Sequence, residues 1–422
     1  MPLLSALQML RQQLSQVTDA QTGYASFTAL VSSGTESLAW LAGQPHWPKF
    51  FWQSRDSGES LAACGELIRA TTPAQAMLLV KMLPPGWKLT GANAFGPESF
   101  FFAPRLLWQD GQMTIFIHGE LSKDARRAIE FIDRLVPFTA TETLPRRTDS
   151  LSHTPERAAW ELLVEKALAG ITTGAFDKVV LARATDLHFS SPVPPAALLA
   201  ASRHKNPHCY HFMLASGPHK AFVGSSPERL YRRQGKQLQS EALAGTCASA
   251  ADDRLARQLA EKLLNDEKNQ WENRLVVEDI CQRLQSITGH IQVAPVEIVR
   301  LRHVQHLRRQ IHCTLKVQDD ALCLTQLQPT AAVAGLPREP ARQFIRDYEP
   351  FQRGWYAGSV GYLSAAESEF SVALRSAEIG GNRVRLYAGA GIVAGSVARQ
   401  EWRELDQKAA GLGSLLDLHF TQ

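Results

Sequence analysis

The sequence has little cysteine and no long apolar run. No window approaches the roughly 20 consecutive apolar residues of a membrane-spanning helix, so we expect no membrane association. Cysteine is scattered, without a CxxC pair, which favours reduced thiols in a cytoplasmic protein over a disulfide framework. The six positions are Cys64, Cys209, Cys247, Cys281, Cys313 and Cys323.

Net charge is also small. The 422 residues carry a formal charge of +4, which is too mild to argue for a nucleic-acid partner. The first residues, MPLLSALQMLRQQLSQV, lack the basic segment and cleavage site of a signal peptide, and their leucines recur at helical spacing. We therefore expect them to form a helix of the mature protein. A hydrophobic content of 45% and a charged content of 20% suit a globular protein with a large core.

A strand, a glycine turn and a helix are predicted in succession near the C-terminus. Gly389 and Gly391 form the turn, and the helix carries Glu401, Glu404 and Lys408. Spacings of three and four residues put the three charged side chains on one helical face. Two carboxylates and an ammonium there can hold a divalent cation against an anionic ligand. An ordinary solvated Glu–Lys pair has the same spacing.

Two further charged residues belong to predicted strands. Residues 176–189 alternate as a strand in which Lys178 shares a face with small apolar residues. Such a lysine is either an edge-strand gatekeeper or a buried amine with a lowered pKa. Glu228 follows a Ser-Ser-Pro sequence that interrupts the next strand pattern, where a carboxylate can be aimed accurately. A surface turn glutamate is the alternative.

A long helical pattern covers residues 252–284. Glu272 lies on a stripe of this pattern that becomes apolar, so its carboxylate needs a partner, because burying a lone charge is costly. Residues 355–390 predict an antiparallel meander in which Arg375 lies in an apolar strand and faces an anion. His303 and His306 are one helical turn apart, which predicts a solvated helix face.

The first 150 residues are rich in aromatic side chains and carry little recognisable chemistry. The following stretch PRRTDSLSHTPE, residues 145–156, is polar with two prolines and predicts a connection, not a packed element.

Eight motifs together resemble the chorismate-utilising enzymes, a family that includes isochorismate, salicylate, anthranilate and aminodeoxychorismate synthases. They occur in the family's order and extend over residues 155–415. The motifs are KVVLAR (178–183), GSSPERL (224–230), EALAGT (241–246), DEKNQWEN (266–273), LQPTAAVAGLP (327–337), YAGSVG (356–361), ALRSA (373–377) and AGAGIVAGS with EWRELDQKA (388–409).

The resemblance implies an α+β fold. In this chorismate-utilising enzyme fold, two large, mostly antiparallel β-sheets pack together with helices outside, and the active site lies in a cleft between them. Residues 1–150 are then an N-terminal part of the same body, and residues 151–422 are the chorismate-binding catalytic region. This overrides the two or three domains that length alone suggests.

The resemblance also implies a magnesium site and an anion pocket. Glu272 and Glu404 are the expected ligands of Mg²⁺, which meets the ring carboxylate of chorismate. Glu401 is expected beside the site, with a metal-bound water as one way of reaching the ion. The implied substrate-binding residues are Tyr356 and Arg375 at the enolpyruvyl carboxylate, Gly389, Gly391 and Lys408 around the anion, and Ala244, Gly245 and Thr246 in the wall.

Three positions depart from the common family pattern. Many relatives have histidine where this chain has Asn273, glutamate where it has Asn269, and histidine where it has Gln328. The expected metal ligands are unaffected, but the surroundings of the metal are expected to differ.

The branch of the family is indicated by two residues. The branch that uses water as nucleophile has lysine at the position of Lys178, and aminodeoxychorismate synthases carry a nucleophilic lysine where this chain has Ala244. Both residues favour water over ammonia, and therefore no glutamine amidotransferase subunit. Residues 266–285 look most like the isochorismate synthases of the menaquinone pathway.

The resemblance therefore predicts a reversible, Mg²⁺-dependent conversion of chorismate to isochorismate. Lys178 would be the base that activates water for attack at C2, and Glu228 the acid that protonates the departing C4 hydroxyl. Salicylate synthase and a siderophore-pathway isochorismate synthase stay as alternatives. We expect a monomer.

Overall fold

The computed structural model describes residues 2–32, 36–137, 142–145 and 148–418. Within these ranges the chain forms twenty strands and eleven α-helices. The strands are β1 Thr22–Leu30, β2 Lys49–Gln53, β3 Ser60–Ala70, β4 Leu89–Asn93, β5 Ser99–Gln109, β6 Gln112–Glu120, β7 Thr148–Thr154, β8 Lys178–Phe189, β9 Tyr210–Gly217, β10 Lys220–Ser226, β11 Arg229–Gln234, β12 Gln237–Ala248, β13 Thr288–Val293, β14 Glu297–Arg300, β15 Val304–Leu315, β16 Gly335–Leu336, β17 Ser359–Leu363, β18 Glu367–Val372, β19 Ser376–Gly380 and β20 Arg383–Ile392. The helices are α1 Leu3–Ser15, α2 Ser37–Ala42, α3 Pro73–Met82, α4 Leu121–Asp133, α5 Arg157–Thr172, α6 Pro195–Lys205, α7 Asp253–Asn265, α8 Glu267–Leu284, α9 Asp320–Leu327, α10 Arg338–Tyr348 and α11 Ala398–Gly413.

The strands form one antiparallel network with two branches that meet at β5. The first branch runs β1-β6-β5-β3-β2-β9-β10-β19-β20-β8, with β7 and β16 paired to β8. The second branch leaves the beginning of β5 and runs β4-β17-β18-β11-β12-β15, with β13 and β14 paired to β15. The two sheets expected from the resemblance are therefore these two branches, which share a strand.

Early strands of the chain pair directly with much later strands in both branches. In the first branch, β2 pairs with β9, so that Phe51 lies opposite Met213. In the second, β4 pairs with β17, so that Gly91 lies opposite Gly361. Large aromatic side chains fill the space between the branches. The rings of Phe101 on β5 and Phe370 on β18 meet edge to face, with their centroids 6.1 Å apart.

The chain crosses from one branch to the other at two neighbouring points. Residues 227–228 connect β10 of the first branch to β11 of the second, and residues 373–375 connect β18 of the second to β19 of the first. The crossings are bonded to each other: Val372 N–H donates to Glu228 O at 3.0 Å, and Ser225 N–H donates to Arg375 O at 3.1 Å. The predicted single meander over residues 355–390 is wrong, because β17–β18 and β19–β20 are hairpins in different branches.

Three local predictions have clear outcomes. The N-terminal helix is confirmed as α1, which buries its periodic leucines. The pattern over residues 252–284 is two helices, since Asp266 ends α7 and its side chain caps α8 by accepting the N–H of Asn269. The predicted connection over residues 145–156 is wrong for its central part, which is β7, an exposed polar strand on the edge of β8. No helix among the described residues is long and apolar enough to cross a membrane.

Candidate active site

A pocket lies beside the two crossings and is closed by α8 and α11. It encloses about 660 Å³ of empty space, including solvent at its mouth. Ten of the residues predicted for the site line it: Glu228, Ala244, Gly245, Thr246, Glu272, Tyr356, Arg375, Gly389, Gly391 and Lys408.

Lys178 lies immediately behind this lining. Its Nζ donates a hydrogen bond of 2.8 Å to Oε1 of Glu272, and its side chain is 1% exposed. The gatekeeper interpretation is therefore wrong, and the residue is a buried amine. Gly391 makes this approach possible, because a Cβ there would lie 3.0 Å from the Lys178 Cε and 3.1 Å from the Glu272 Oε1. Burial opposes ionisation of Glu272, but the neighbouring Lys178 ammonium holds the pKa of that carboxyl below its ordinary value.

Glu228 occupies the first crossing, where the chain leaves β10 for β11. The residue is buried, and its Oε1 has no hydrogen-bond partner in the part of the chain that the structure describes. Burial, and secondarily the negative charge of Glu241, raise the pKa of Glu228 to about 8. A carboxyl that stays protonated at neutral pH and has a free oxygen at a pocket is suited to donate a proton.

Arg375 occupies the second crossing in a left-handed backbone conformation, with φ of +47°. Its guanidinium forms no ion pair within the described residues; it donates to Nε2 of His306 at 3.2 Å. Burial lowers the pKa of Arg375 below its ordinary value, yet a guanidinium stays charged at any pH of interest. A cation without a counterion at a pocket is suited to bind a carboxylate.

His306 was missed by the sequence analysis. It lies on strand β15 instead of a solvated helix face, is buried, and lines the pocket. Because Nε2 accepts from Arg375, the proton of the neutral ring is on Nδ1, which lies 3.0 Å from the Thr246 hydroxyl. Burial, together with the Arg375 charge, lowers the pKa of His306 well below its ordinary value, so the ring is neutral.

The glycine turn and α11 meet through Lys408. Its Nζ donates to the carbonyl of Gly389 at 2.9 Å and lies 2.5 Å from a carboxylate oxygen of Glu404. Gly389 also faces Tyr356, whose hydroxyl would lie 2.7 Å from a Cβ at that position. A side chain larger than glycine would therefore displace the pocket wall.

The expected metal ligands offer oxygen donors. Within the described ranges, no three His, Cys, Asp or Glu side chains are gathered as a metal site. Glu272 lines the pocket, and Glu404 is paired with pocket-lining Lys408. Burial and the adjacent Glu404 charge raise the pKa of Glu401, so two carboxylates lie close together there. This donor set fits Mg²⁺, which commonly takes one or two carboxylates and keeps several waters.

The residues that depart from the family pattern have structural partners. Asn273 donates to the carbonyls of Ala242, Ala244 and Leu307, which ties α8 to β12 and β15. Asn269 accepts the N–H of Thr246 at 2.9 Å. Both amides therefore fix the pocket wall to the helix that carries Glu272.

Comparison with known proteins identifies the family. A family model described as chorismate binding enzyme matches residues 93–417. The chain belongs to this family of chorismate-binding enzymes. The isochorismate synthase MenF of Escherichia coli K12 is 50% identical over 427 residues, covering 99% of each chain. MenF of Pasteurella multocida is 40% identical over 90% of each chain. The solved structure of MenF, the menaquinone-specific isochorismate synthase from Escherichia coli, matches with a TM-score of 0.95 over 98% of this chain and 99% of that one.

The resemblance and the fold class inferred from the eight motifs are thereby confirmed. The chorismate-binding family fold is an α+β arrangement of antiparallel strands and helices, as expected. The individual site residues stay predictions, and their roles are argued below.

Proposed function

We propose that this chorismate-binding enzyme is an isochorismate synthase that isomerises chorismate reversibly to isochorismate. The observation that carries the proposal is that a buried amine, Lys178, and a buried carboxyl with a raised pKa, Glu228, lie at one pocket. Lys178 as a neutral amine can accept a proton and Glu228 can donate one, as required when water adds at C2 and the C4 hydroxyl leaves. The full-length similarity to isochorismate synthases of the menaquinone pathway supports the same activity and pathway.

We assign binding of the substrate carboxylate to Arg375, the cation of the second crossing. Arg375 and the Tyr356 hydroxyl bind the enolpyruvyl carboxylate, since Arg375 has no carboxylate partner of its own among the described residues. Backbone N–H groups of Gly389 and Gly391, together with Lys408, line the rest of the anion pocket. Ala244, Gly245 and Thr246 form the opposite wall.

Proton transfer is assigned to Lys178 and Glu228. Lys178 takes a proton from the attacking water, and Glu228 gives its proton to the departing C4 hydroxyl, which leaves as water. One water is consumed and one released, so the net change is an isomerisation. In the reverse direction the two residues exchange roles.

Glu272 and Glu404 would hold Mg²⁺, with Glu401 beside them. When bound, the ion would supply charge neutralisation at the ring carboxylate.

Other members of the family are less well supported. Ala244 occupies the wall where an amine-using relative would need a nucleophilic lysine, which argues against ammonia as nucleophile and against a glutamine amidotransferase subunit. Salicylate synthase, which also eliminates pyruvate, and an isochorismate synthase serving a siderophore are the alternatives. A monomer in the cytoplasm remains our expectation.

A product assay tests the proposal. Purified protein is incubated with chorismate and Mg²⁺, without ammonia or glutamine, and the products are separated by chromatography and weighed by mass spectrometry. We expect a new peak with the mass of chorismate and a different retention, in reversible balance with it. Salicylate and pyruvate as main products would move the protein to the lyase branch. Turnover only on addition of ammonia would overturn the role of Lys178.

A further inference from the structure

A buried ion pair outside the pocket lining is hydrogen-bonded to the crossing that carries Glu228. Arg55, in the turn after β2, donates to both carboxylate oxygens of Glu241 on β12, at 2.7 and 2.9 Å. Their side chains are 5% and 1% exposed. Such bidentate contact fixes the relative position of the two groups more strictly than a single hydrogen bond.

The pair is bonded to the backbone on both sides of Glu228. Arg55 also donates to the carbonyl of Pro227, the residue before it. Glu241 accepts the N–H of Arg229, the residue after it, at 2.8 Å. The peptide groups that flank Glu228 are thus held by the two halves of one ion pair.

We propose that Arg55 and Glu241 are positioning residues that aim the Glu228 carboxyl into the pocket. Neither residue lines the pocket, so the pair acts on the reaction through the backbone of the crossing and through its charges near Glu228. The inference rests on the proposed function, in which Glu228 is the proton donor. It also assigns to the first 150 residues, through Arg55, a part in the chemistry.

The pair has an electrostatic effect as well as a geometric one. The Glu241 charge disfavours ionisation of Glu228, whereas the charges of Lys178, Lys408 and Arg55 favour it. The geometric and electrostatic effects can be separated, because Glu241→Gln removes the negative charge of the pair, whereas Arg55→Lys keeps both charges. The charged and titratable groups that act on or are affected by Glu228 are Glu241, Lys178, Lys408, Arg55, Arg375 and Tyr356.

A second ion pair in the chain provides a matched control. Arg105 donates to both oxygens of Asp124 at 2.6 and 2.9 Å, and also to the carbonyl of Phe116. Asp124 accepts the N–H of His118, so this pair brackets residue 117 on β6 in the same manner. The side chains of this pair are 11% and 7% exposed, and none of these residues lines the pocket.

The test compares Glu241→Gln, Arg55→Lys and the control Asp124→Asn in the chorismate–isochorismate assay, with thermal unfolding of each. We expect Glu241→Gln and Asp124→Asn to lower the unfolding temperature by similar amounts. Only Glu241→Gln should lower kcat, by between about tenfold and a hundredfold, with little change in KM. It should also shift the alkaline limb of the pH–rate profile to lower pH by about one pH unit, because loss of the negative charge beside Glu228 lowers the pKa of Glu228. Arg55→Lys keeps the charge but loses the bidentate contact, so kcat should fall with a smaller shift of the limb.

A Glu241→Gln enzyme that loses stability but retains the kcat and pH profile of the unaltered enzyme would overturn the inference. An Asp124→Asn enzyme with the same loss of kcat would overturn it too, since any buried pair would then have the effect. Failure of the proposed function is a separate result, because the unaltered enzyme itself would then form no isochorismate.

Discussion

The ammonium of Lys178 on β8 and the carboxylate of Glu272 on α8 form an ion pair of 2.8 Å, in which the lysine is buried and the glutamate side chain is 21% exposed. The contact joins the residue proposed as base to a residue proposed as metal ligand. Each has the other as its charge partner, so a change in one is expected to alter the environment of the other. A Lys178 variant is therefore tested by its turnover, and a Glu272 variant by its response to magnesium.

Replacing Lys178 by alanine should reduce isochorismate formation by about a hundredfold to ten-thousandfold, because a general base is lost. Lys88 is a suitable control, since its ammonium is also paired with a glutamate, Glu367, at 2.6 Å, and its side chain is 10% exposed. Lys88→Ala should keep near-normal turnover. Near-normal turnover of folded Lys178→Ala would exclude the residue as base.

Replacing Glu272 or Glu404 by alanine should chiefly remove the response to magnesium. The measurement is initial rate against Mg²⁺ concentration at saturating chorismate. Glu267→Ala is the control, because this glutamate is exposed in the first turn of the same helix as Glu272. A magnesium titration unchanged by either substitution would reject that residue as a ligand.

The pKa of Glu228, about 8, predicts a pH limit on the forward reaction. The acid must be protonated, so kcat should fall as the pH rises through about 8, and Glu228→Gln should abolish turnover at every pH. A profile that stays flat to pH 9.5 would contradict the proposed acid.

The same residue predicts a pH-dependent stability difference that needs no substrate. Its folded-state pKa of about 8 lies above the ordinary value of 4.5, so the folded protein holds a proton that the unfolded chain releases between these values. Its contribution to stability is therefore present at low pH and is lost as the pH rises towards 8. Glu228→Gln lacks this loss, so its stability relative to the unaltered protein should rise between pH 5.5 and 8.5 in urea unfolding. An unchanged difference would show that Glu228 is ionised in the fold.

Replacing Arg375 by glutamine should raise KM for chorismate roughly tenfold to a hundredfold, the usual cost of losing a hydrogen bond to a charged group. Arg385 is the matched control, because it lies on β20 but is paired with Asp186 at 2.7 Å. Arg385→Gln should leave KM unchanged. An Arg375→Gln enzyme with normal KM would remove this residue from carboxylate binding.

Sequence alone predicted the strands and helices around the site better than the path between them. The alternation around Lys178 and the spacing of Glu404 and Lys408 are local patterns, and the structure has β8 and α11 at those places. The sequence pattern around Arg375 predicts one continuous strand, whereas the chain there crosses from β18 to β19. Arg375 adopts a left-handed conformation without being glycine, so no local signal indicated that the chain changes branch.

His306 was misassigned because two periodicities fit the same residues. A spacing of three from His303 suggests a helix, whereas in the observed strand β15 His306 lies two residues from buried Val304 and therefore on the same face. Strand β7 was missed for a different reason. It is almost wholly polar and lies at an edge, where hydrogen bonds to β8 hold it without an apolar face.

The pairing of early strands with much later ones sets the order in which this protein can fold during synthesis. One edge of strand β2 can pair with β3 as soon as both strands have been synthesised, but its other edge pairs with β9. Strand β4 likewise pairs with the much later strand β17. The ribosome therefore releases the early strands long before their partners exist, and their edges stay open meanwhile. Chaperones that shield such edges are expected to matter most while the middle of the chain is being translated.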